Sequence, residues 1–453
     1  METEYEYNKN YTRIFVFYYL IEGFSQGIPF LIFPPYLAKI LGNQYDIAQW
    51  LIIYAIGTIP WAIKVFIGIA NDKWGSKKYG RRFPWIIGFG LYGGIFWILM
   101  GIYLPSDESI YGFMAFYYFM TALGTAFSDS ALDGLILDVT PKDKLAKVQG
   151  FTWSCLLIGM GAGGIILGLI FLALDITPYL FMMTGVLMIF ACLLTYIIQE
   201  PPLKEITTRT LAKDIISIFT RKQNYKVFGF VFVGAMAGLL LLTFFNYLIL
   251  ISMGIIEVKD TILTIQSGDA VDLLGWTSFF YVSNGVGTII GSIIAGKLAD
   301  KNRKKTMFLT YLIYIPFCIL SIIPFIITGQ YMIALIFGLI GQIIFGAVAG
   351  ALNVISQTIN GDITRKEYPD LKSTYYALTI SSWNGGQSLG QLIGAFLFTL
   401  FAMYFMDFNI LYTIIAIYCA GVLLASFLIF RSINPELYEF EHVIEGEKEV
   451  HFA

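Results

Sequence analysis

Charge is what this 453-residue chain has least of: 13% of its residues are Asp, Glu, Lys or Arg, about half the share usual in a soluble domain. That scarcity, set against 57% hydrophobic and 17% aromatic residues, excludes an ordinary water-soluble globule. Histidine is almost absent, and His442 and His451 both fall in the acidic C-terminal tail. No imidazole is left in the apolar body for metal binding or proton transfer. The four cysteines, Cys155, Cys192, Cys318 and Cys419, sit in separate apolar runs without a CxxC spacing. They read as packing residues, not as a metal site or a disulfide framework. The glycine runs lack the Gly-Lys-Ser/Thr ending of a P-loop, which disfavours ATP-driven pumping. With no membrane histidine, no Cys/His pair and no G-x-S-x-G elbow expected, neither an enzyme nor a cofactor is expected. A net charge of −2 gives no attraction to nucleic acid.

What the chain does have is long apolar runs, recurring from Tyr11 to Phe430 with no polar domain between them. About twenty such residues cross the hydrocarbon of a bilayer. Cutting at polar or Gly/Pro-rich breaks gives twelve spans near 12–40, 46–70, 84–104, 111–139, 148–174, 178–199, 225–253, 273–299, 306–328, 331–361, 373–401 and 409–430. The stretch Tyr11 to Leu41 follows an acidic start (Glu2, Glu4, Glu6) and is too long for a cleaved signal, so it is read as a retained first span.

The cations test this cut, because short cytoplasmic loops are enriched in Lys and Arg. Lys73, Lys77, Lys78, Arg81 and Arg82 lie between spans 2 and 3, and Lys142, Lys144 and Lys147 between spans 4 and 5. Lys204 to Lys226 follow span 6, Lys301 to Lys305 follow span 8, and Arg365, Lys366 and Lys372 follow span 10. The alternate loops carry Asp107, Glu108, Asp175, Asp269, Asp272 and Asp407, with Lys39 and Lys259 as cations. Both termini are therefore expected on the cytoplasmic side of a plasma membrane.

The connection 200–224 opens with Pro201-Pro202, holds an amphipathic piece (Leu211, Ile215, Ile216 and Phe219 against Lys213 and Asp214) and divides six spans from six. The expected domains are 1–199, the linker 200–224, 225–431 and an acidic tail 432–453. A repeat supports the division. Gly68-Ile-Ala-Asn-Asp72-Lys73 after span 2 recurs as Gly296-Lys-Leu-Ala-Asp300-Lys301 after span 8, and Asp138-Val-Thr-Pro-Lys after span 4 recurs as Asp362-Ile-Thr-Arg-Lys after span 10. Such repeats are common in transporters.

Both glycine-to-aspartate loops resemble the G-x-L-A-D-(K/R)-x-G-(R/K) signature of the major facilitator superfamily; the second copy has Arg303 where the late glycine would stand. The resemblance implies an all-α membrane protein with twelve transmembrane helices in two pseudo-symmetric six-helix bundles. It also implies that Asp72, Arg81, Arg82, Asp138, Asp300, Lys301 and Asp362 belong to a cytoplasmic gate. Over roughly the first 150 residues, Pro60-Trp61-Ala-Ile-Lys64, Gly80-Arg81-Arg82 and Ala126-Phe-Ser-Asp129-Ser-Ala-Leu-Asp133 resemble the folate–biopterin transporter branch. Muropeptide permeases and acetyl-coenzyme A transporters share parts of this pattern. Ser76-Lys-Lys-Tyr-Gly80-Arg-Arg-Phe-Pro84 is similar to sugar–cation symporters of the sucrose type. The implied function is a secondary transporter of a small polar organic solute, best matched by a pterin- or folate-like metabolite, with a sugar as the alternative. Because the branch also includes pigment-associated assembly proteins, a non-transporting scaffold stays open.

An ionisable side chain in hydrocarbon costs at least a few kcal/mol, so each one needs a reason. Glu22 lies in span 1, Lys64 in span 2, and Asp129 and Asp133 in span 4, and the helical rise places Glu22, Lys64 and Asp133 at comparable depth. Asp129 and Asp133 are four apart, on one helix face, and two carboxylates so close do not easily both carry charge. That is what proton coupling needs. A structural clamp in which Lys64 neutralises one acid, and direct solute contact, are the other readings. The coupling ion is expected to be a proton or sodium.

Span 10 carries Asn353, Gln357 and Asn360, and span 11 carries Asn384, Gln387 and Gln391, each a stripe on one face. Solute contact and helix–helix hydrogen bonding both fit buried amides. The expected solute-binding set is Gln26, Asn246, Tyr247, Asn353, Gln357, Trp383, Asn384 and Gln387. Gly159, Gly161, Gly163, Gly164 and Gly168 in span 5, and Gly385, Gly386, Gly390 and Gly394 in span 11, allow close helix approach at interfaces that can rock. Span 5 lacks the Gly-Pro motif of drug:proton antiporters in the resembling superfamily, which favours symport or facilitated transport. No spacing points to an oligomer, and a monomer in the lipid bilayer is expected.

Overall fold

The computed structural model of the chain describes residues 8–76, 78–140, 142–200, 216–299, 301–328, 331–368, 372–405 and 407–437. Twelve helices in it are long and apolar enough to cross a membrane: Lys9–Leu31, Ile47–Asn71, Phe83–Tyr103, Ile110–Ile136, Gly150–Ala173, Thr177–Ile197, Lys222–Ser252, Ala270–Ala299, Arg303–Ile326, Tyr331–Thr364, Thr374–Ala402 and Phe408–Arg431. They are numbered here as spans 1 to 12. Their exposed surface is largely Ile, Leu, Val and Phe, as required where lipid is the solvent and each helix satisfies its own backbone.

The expected first span 12–40 is two helices, because Pro34 and Pro35 cannot donate to a continuing ladder. Span 1 ends at Leu31, and a short helix Phe33–Ile40 follows with its prolines at the start, where missing N–H groups cost nothing. Span 5 changes pitch at Ala162–Leu167, a π-helical stretch inside its glycine run.

Packing repeats as the sequence does. Span 1 lies on 5, 2 on 4, and 3 on 6; in the second half 7 lies on 11, 8 on 10, and 9 on 12. Glycine carries several of these crossings. A Cβ at Gly159 would strike the Leu20 carbonyl of span 1, and one at Gly386 would strike the Phe232 carbonyl of span 7. Gly287 and Gly291 of span 8 meet the Ile343 and Ala347 carbonyls of span 10 in the same way. The longest interface between halves joins span 2 to span 11.

Helices alternate in direction, so the basic loops share one face and the acidic loops the other. Several acids of the second face are helix caps. Asp46 Oδ1 accepts from Ala48 N–H at 2.8 Å to open span 2, Asp269 Oδ1 from Val271 N–H at 2.7 Å at the start of span 8, and Asp407 Oδ1 from Asn409 N–H at 2.8 Å to open span 12. A carboxylate there meets unpaired N–H groups and the positive end of the helix dipole.

On the acidic face three short strands form one antiparallel sheet in the order β1-β3-β2: β1 (Gln44–Asp46), β2 (Ile256–Lys259) and β3 (Ile262–Ile265). β1 connects spans 1 and 2, whereas β2 and β3 form a hairpin between spans 7 and 8. The sheet is therefore shared between the halves. Of the expected linker, residues 201–215 lie outside the described residues and 216–220 are helical; the acidic tail beyond 437 also lies outside them.

Candidate functional site

Between the halves lies a cavity of about 370 Å³. Its walls come from spans 1, 2, 4 and 5 of the first half and spans 7 and 11 of the second. All four ionisable residues singled out in the spans, Glu22, Lys64, Asp129 and Asp133, line it. Around them stand the rings of Tyr19, Phe30, Tyr54, Trp61 and Trp153, and the amides of Gln26, Asn384 and Gln387.

Lys64 and Asp129 form a buried pair, Nζ to Oδ2 at 2.9 Å, and the ammonium also lies 5.3 Å from the Trp61 ring centroid. An ion pair with a cation–π contact keeps this buried charge compensated. Glu22, 2% exposed, accepts from Gln26 Nε2 at 2.9 Å through Oε1, and its carboxylate is buried beside that of Asp129. One turn beyond Asp129, the Asp133 carboxylate accepts a short hydrogen bond from the Tyr19 hydroxyl and is exposed. The acids thus run from a buried position at Glu22 to an exposed one at Asp133, one turn nearer the basic face than Asp129. Tyr18 and Ser128 brace the same crossing of spans 1 and 4, oxygen to oxygen 2.6 Å.

Above this cluster the halves touch through Asn384, whose Nδ2 donates to the Trp61 carbonyl at 3.2 Å, and through a Thr58–Ser388 hydroxyl pair at 2.7 Å. Gln26, Asn384 and Gln387 of the expected solute-binding set therefore meet at the cavity. Trp383 is packed against the hydrophobic core, outside the lining. Asn246 and Tyr247 lie nearer the acidic face, on a small closed pocket with Phe30, Tyr45 and Tyr281. There the Tyr247 hydroxyl meets that of Tyr45 at 2.5 Å. On span 10, Asn353 is exposed, Gln357 half-buried and Asn360 buried, and none of the three lines the cavity.

At the basic face, Asp138 Oδ2 accepts from Arg81 Nη2 at 2.7 Å and from Arg82 Nε at 3.0 Å, and the Arg82 guanidinium also reaches Asn71 Oδ1. In the second half Arg303 pairs with Asp362 at 2.6 Å. The side chain of Asp72 and the whole of Asp300 lie outside the described residues, and Lys301 is exposed. Among the described residues these ion pairs each stay within one half.

Sequence reading passed over several participants. Glu200 caps span 3, its carboxylate accepting from the N–H groups of Arg81 at 2.6 Å and Phe83 at 2.7 Å; a signal was available in an acid directly after span 6. Arg303, seen only as a departure from the signature, is the partner of Asp362. Tyr19, four residues before Gly23, had no signal beyond its helical phase. Gly23-Phe24-Ser25-Gln26-Gly27 does spell the G-x-S-x-G pattern of a nucleophile elbow, contrary to the expectation that none is present. The structure puts it in mid-helix, with Ser25 Oγ donating to the Glu22 carbonyl at 2.8 Å and both glycines against span 5. It is not a strand–turn–helix corner.

The Major Facilitator Superfamily profile matches residues 15–264 and 261–450. No curated protein matches the sequence. A bacterial homolog of the human lysosomal transporter Spinster, inward-facing and unoccupied, is similar in structure with a TM-score of 0.63 at 14% identity, covering 95% of this chain and 98% of that one. The nucleoside transporter NupG gives 0.61 at 14% identity over 93% and 99% of the two chains. The D-xylose–proton symporter gives 0.61 at 14% identity over 96% and 100%. These likenesses are of fold. Matched by the profile through both of its six-helix halves, the chain belongs to the Major Facilitator Superfamily, a multi-pass membrane transporter of that fold.

Proposed function

We propose that the protein is a proton-coupled symporter that carries a small, flat, polar organic solute by alternating access, with the cavity between the halves as its binding site. The observation that carries this reading is the acid series on one cavity: Glu22 buried, Asp129 held by Lys64, and Asp133 exposed one turn nearer the basic face. A proton taken up at one member and released from another needs such a change in exposure. A proton is favoured over sodium because the carboxylates accept hydrogen bonds from a lysine, an amide and a tyrosine hydroxyl.

The charge balance narrows the solute. Lys64 is the one cation of the described lining and is taken by Asp129, so a dianionic cargo such as a folate would meet carboxylates without a free positive partner. A neutral or cationic ring bearing hydrogen-bond donors fits better. Its faces would lie on Trp61, Tyr54 or Phe30, and its edges on Gln26, Asn384, Gln387 and Glu22. Within the folate–biopterin resemblance this favours a simple pterin. A sugar is the second reading, favoured by the same amide and aromatic lining.

The basic face is assigned to the cytoplasm of a plasma membrane, with both termini inside and the molecule a monomer. The halves 1–199 and 225–431 rock about the cavity, and the ion pairs of Asp138 and Asp362 brace its cytoplasmic edge. Thermal unfolding of the purified protein against pterins, sugars and nucleosides tests the solute class, since a ligand of the native state raises the melting point. A rise with pterin supports the reading. A rise confined to sugars transfers it to the second, and no rise with any class leaves the scaffold reading in its place.

A further inference from the structure

The sheet on the acidic face joins the two halves by main-chain hydrogen bonds, and it lies over the end of the pathway that is shut. β1 belongs to the first half and pairs antiparallel with β3 of the second, Gln44 opposite Thr264, Tyr45 opposite Leu263 and Asp46 opposite Ile262. The pairing is extended at both ends, where Ile47 N–H donates to the Thr261 carbonyl at 2.9 Å and Ile265 N–H to the Asn43 carbonyl at 3.1 Å. Strand alternation turns Tyr45, Leu263 and Val258 inward as one row across the three strands, and all three are buried.

Beneath the row are two further contacts between halves. The Tyr45 and Tyr247 hydroxyls meet at 2.5 Å. Below them the Phe30 ring of span 1 lies on Tyr281 of span 8, centroids 4.7 Å apart, and Phe30 also lines the central cavity. The small pocket between these layers, with Thr277 in its wall, is closed. A solute crossing from the acidic face to the cavity has to pass all three layers.

We propose that the β1–β3 pairing is a latch between the halves, which unzips each time the pathway opens to the acidic face and re-forms when it closes. This rests on the alternating-access reading above. Side-chain contacts of a gate can slide past one another, but a ladder of backbone hydrogen bonds is in register or broken, because a one-residue slip would turn Tyr45 and Leu263 outward. The latch therefore behaves as a two-position element. The alternative is a fixed hinge, with the sheet intact throughout the cycle.

The register supplies the test. Bonded pairs at Ile47/Thr261 and Asn43/Ile265 make Gln44/Thr264 a non-hydrogen-bonded pair, the closer kind in an antiparallel ladder and the one that suits a disulfide. Gln44→Cys with Thr264→Cys therefore staples the latch on oxidation. A third substitution, Thr277→Cys, reports on the closed pocket. In sealed vesicles a membrane-impermeant maleimide is added to the acidic face, and labelling at position 277 is quantified by peptide mass spectrometry with the staple reduced and oxidised.

The latch predicts that the staple forms, that position 277 labels in the reduced protein, and that oxidation slows this labelling at least tenfold, reversibly with dithiothreitol. Equal labelling with and without the staple would overturn it in favour of a hinge. No labelling in either state would overturn it in favour of a permanent cap, and failure of the staple to form would show that the strands are not paired. Because the readout uses no solute, a failure here is separate from a failure to transport pterin.

Discussion

Lys64 of span 2 and Asp129 of span 4 share a buried ion pair, with Nζ 2.9 Å from Oδ2, so the cation that lines the cavity between the halves is neutralised by the helix packed beside it. Removing one partner leaves the other charge buried and alone, a cost of about 3–5 kcal/mol. Lys64→Ala and Asp129→Ala are each expected to lower the melting point sharply. Lys64→Met with Asp129→Leu should recover much of the loss. A double-mutant cycle measured by thermal unfolding in detergent checks this, and strict additivity of the two losses would dissolve the pair.

Glu22→Gln and Asp133→Asn keep side-chain volume while removing an acid. Gln26 can still donate to the amide oxygen that replaces Glu22 Oε1, and Tyr19 to that of Asn at 133, so both variants are expected to fold. Each should lose uptake driven by a pH gradient by at least about tenfold, equivalent to roughly 1.4 kcal/mol in the driven step, while solute exchange at equal pH persists. Gradient-driven uptake and counterflow, run on the same vesicles, separate the two effects.

The cavity distinguishes two amide stripes that look alike in sequence. Asn384→Leu and Gln387→Leu should raise the half-saturation constant several-fold, the effect of losing a hydrogen bond worth about 0.5–1.5 kcal/mol. Asn353→Leu should leave it nearly unchanged, since Asn353 is exposed on span 10 and does not line the cavity. Transport kinetics across the three variants decide whether the lining is the binding site.

Glycine substitutions should divide by what a methyl group would meet. At Gly159 and Gly386 it strikes the backbone of the facing helix, so alanine there is expected to cost about 1–3 kcal/mol and to slow transport. At Gly88 a Cβ meets nothing within 4 Å, and Gly88→Ala in the same assay should be neutral or stabilising by up to about 1 kcal/mol. Equal effects at all three sites would remove the account of close helix crossings.

The fold was legible because lipid imposes a simple rule: each span announces itself by length and apolarity. The repeat of Gly68–Lys73 in Gly296–Lys301 likewise anticipates the repeated packing of span 1 on 5 and 7 on 11. Helical rise alone was enough to bring Glu22, Lys64 and Asp133 to one depth, and the cavity holds all three. What sequence could not give was rotation. Asn353 and Asn384 carry the same chemistry in similar stripes, and the angle of each span about its axis separates them. Nor could it give the inter-half sheet, because strands of three and four residues have too short an alternation to stand out beside helices of twenty or more, and their partners lie about two hundred residues apart.

Uptake of radiolabelled pterin into proteoliposomes under an imposed pH gradient, with external pH recorded at the same time, bears most directly on proton-coupled transport through the Glu22–Asp133 cavity. The account predicts accumulation above the equilibrium level, matched by alkalinisation of the medium, abolished by a protonophore and absent in Asp133→Asn. Accumulation that ignores the protonophore, or persists in Asp133→Asn with its wild-type pH dependence, would contradict it.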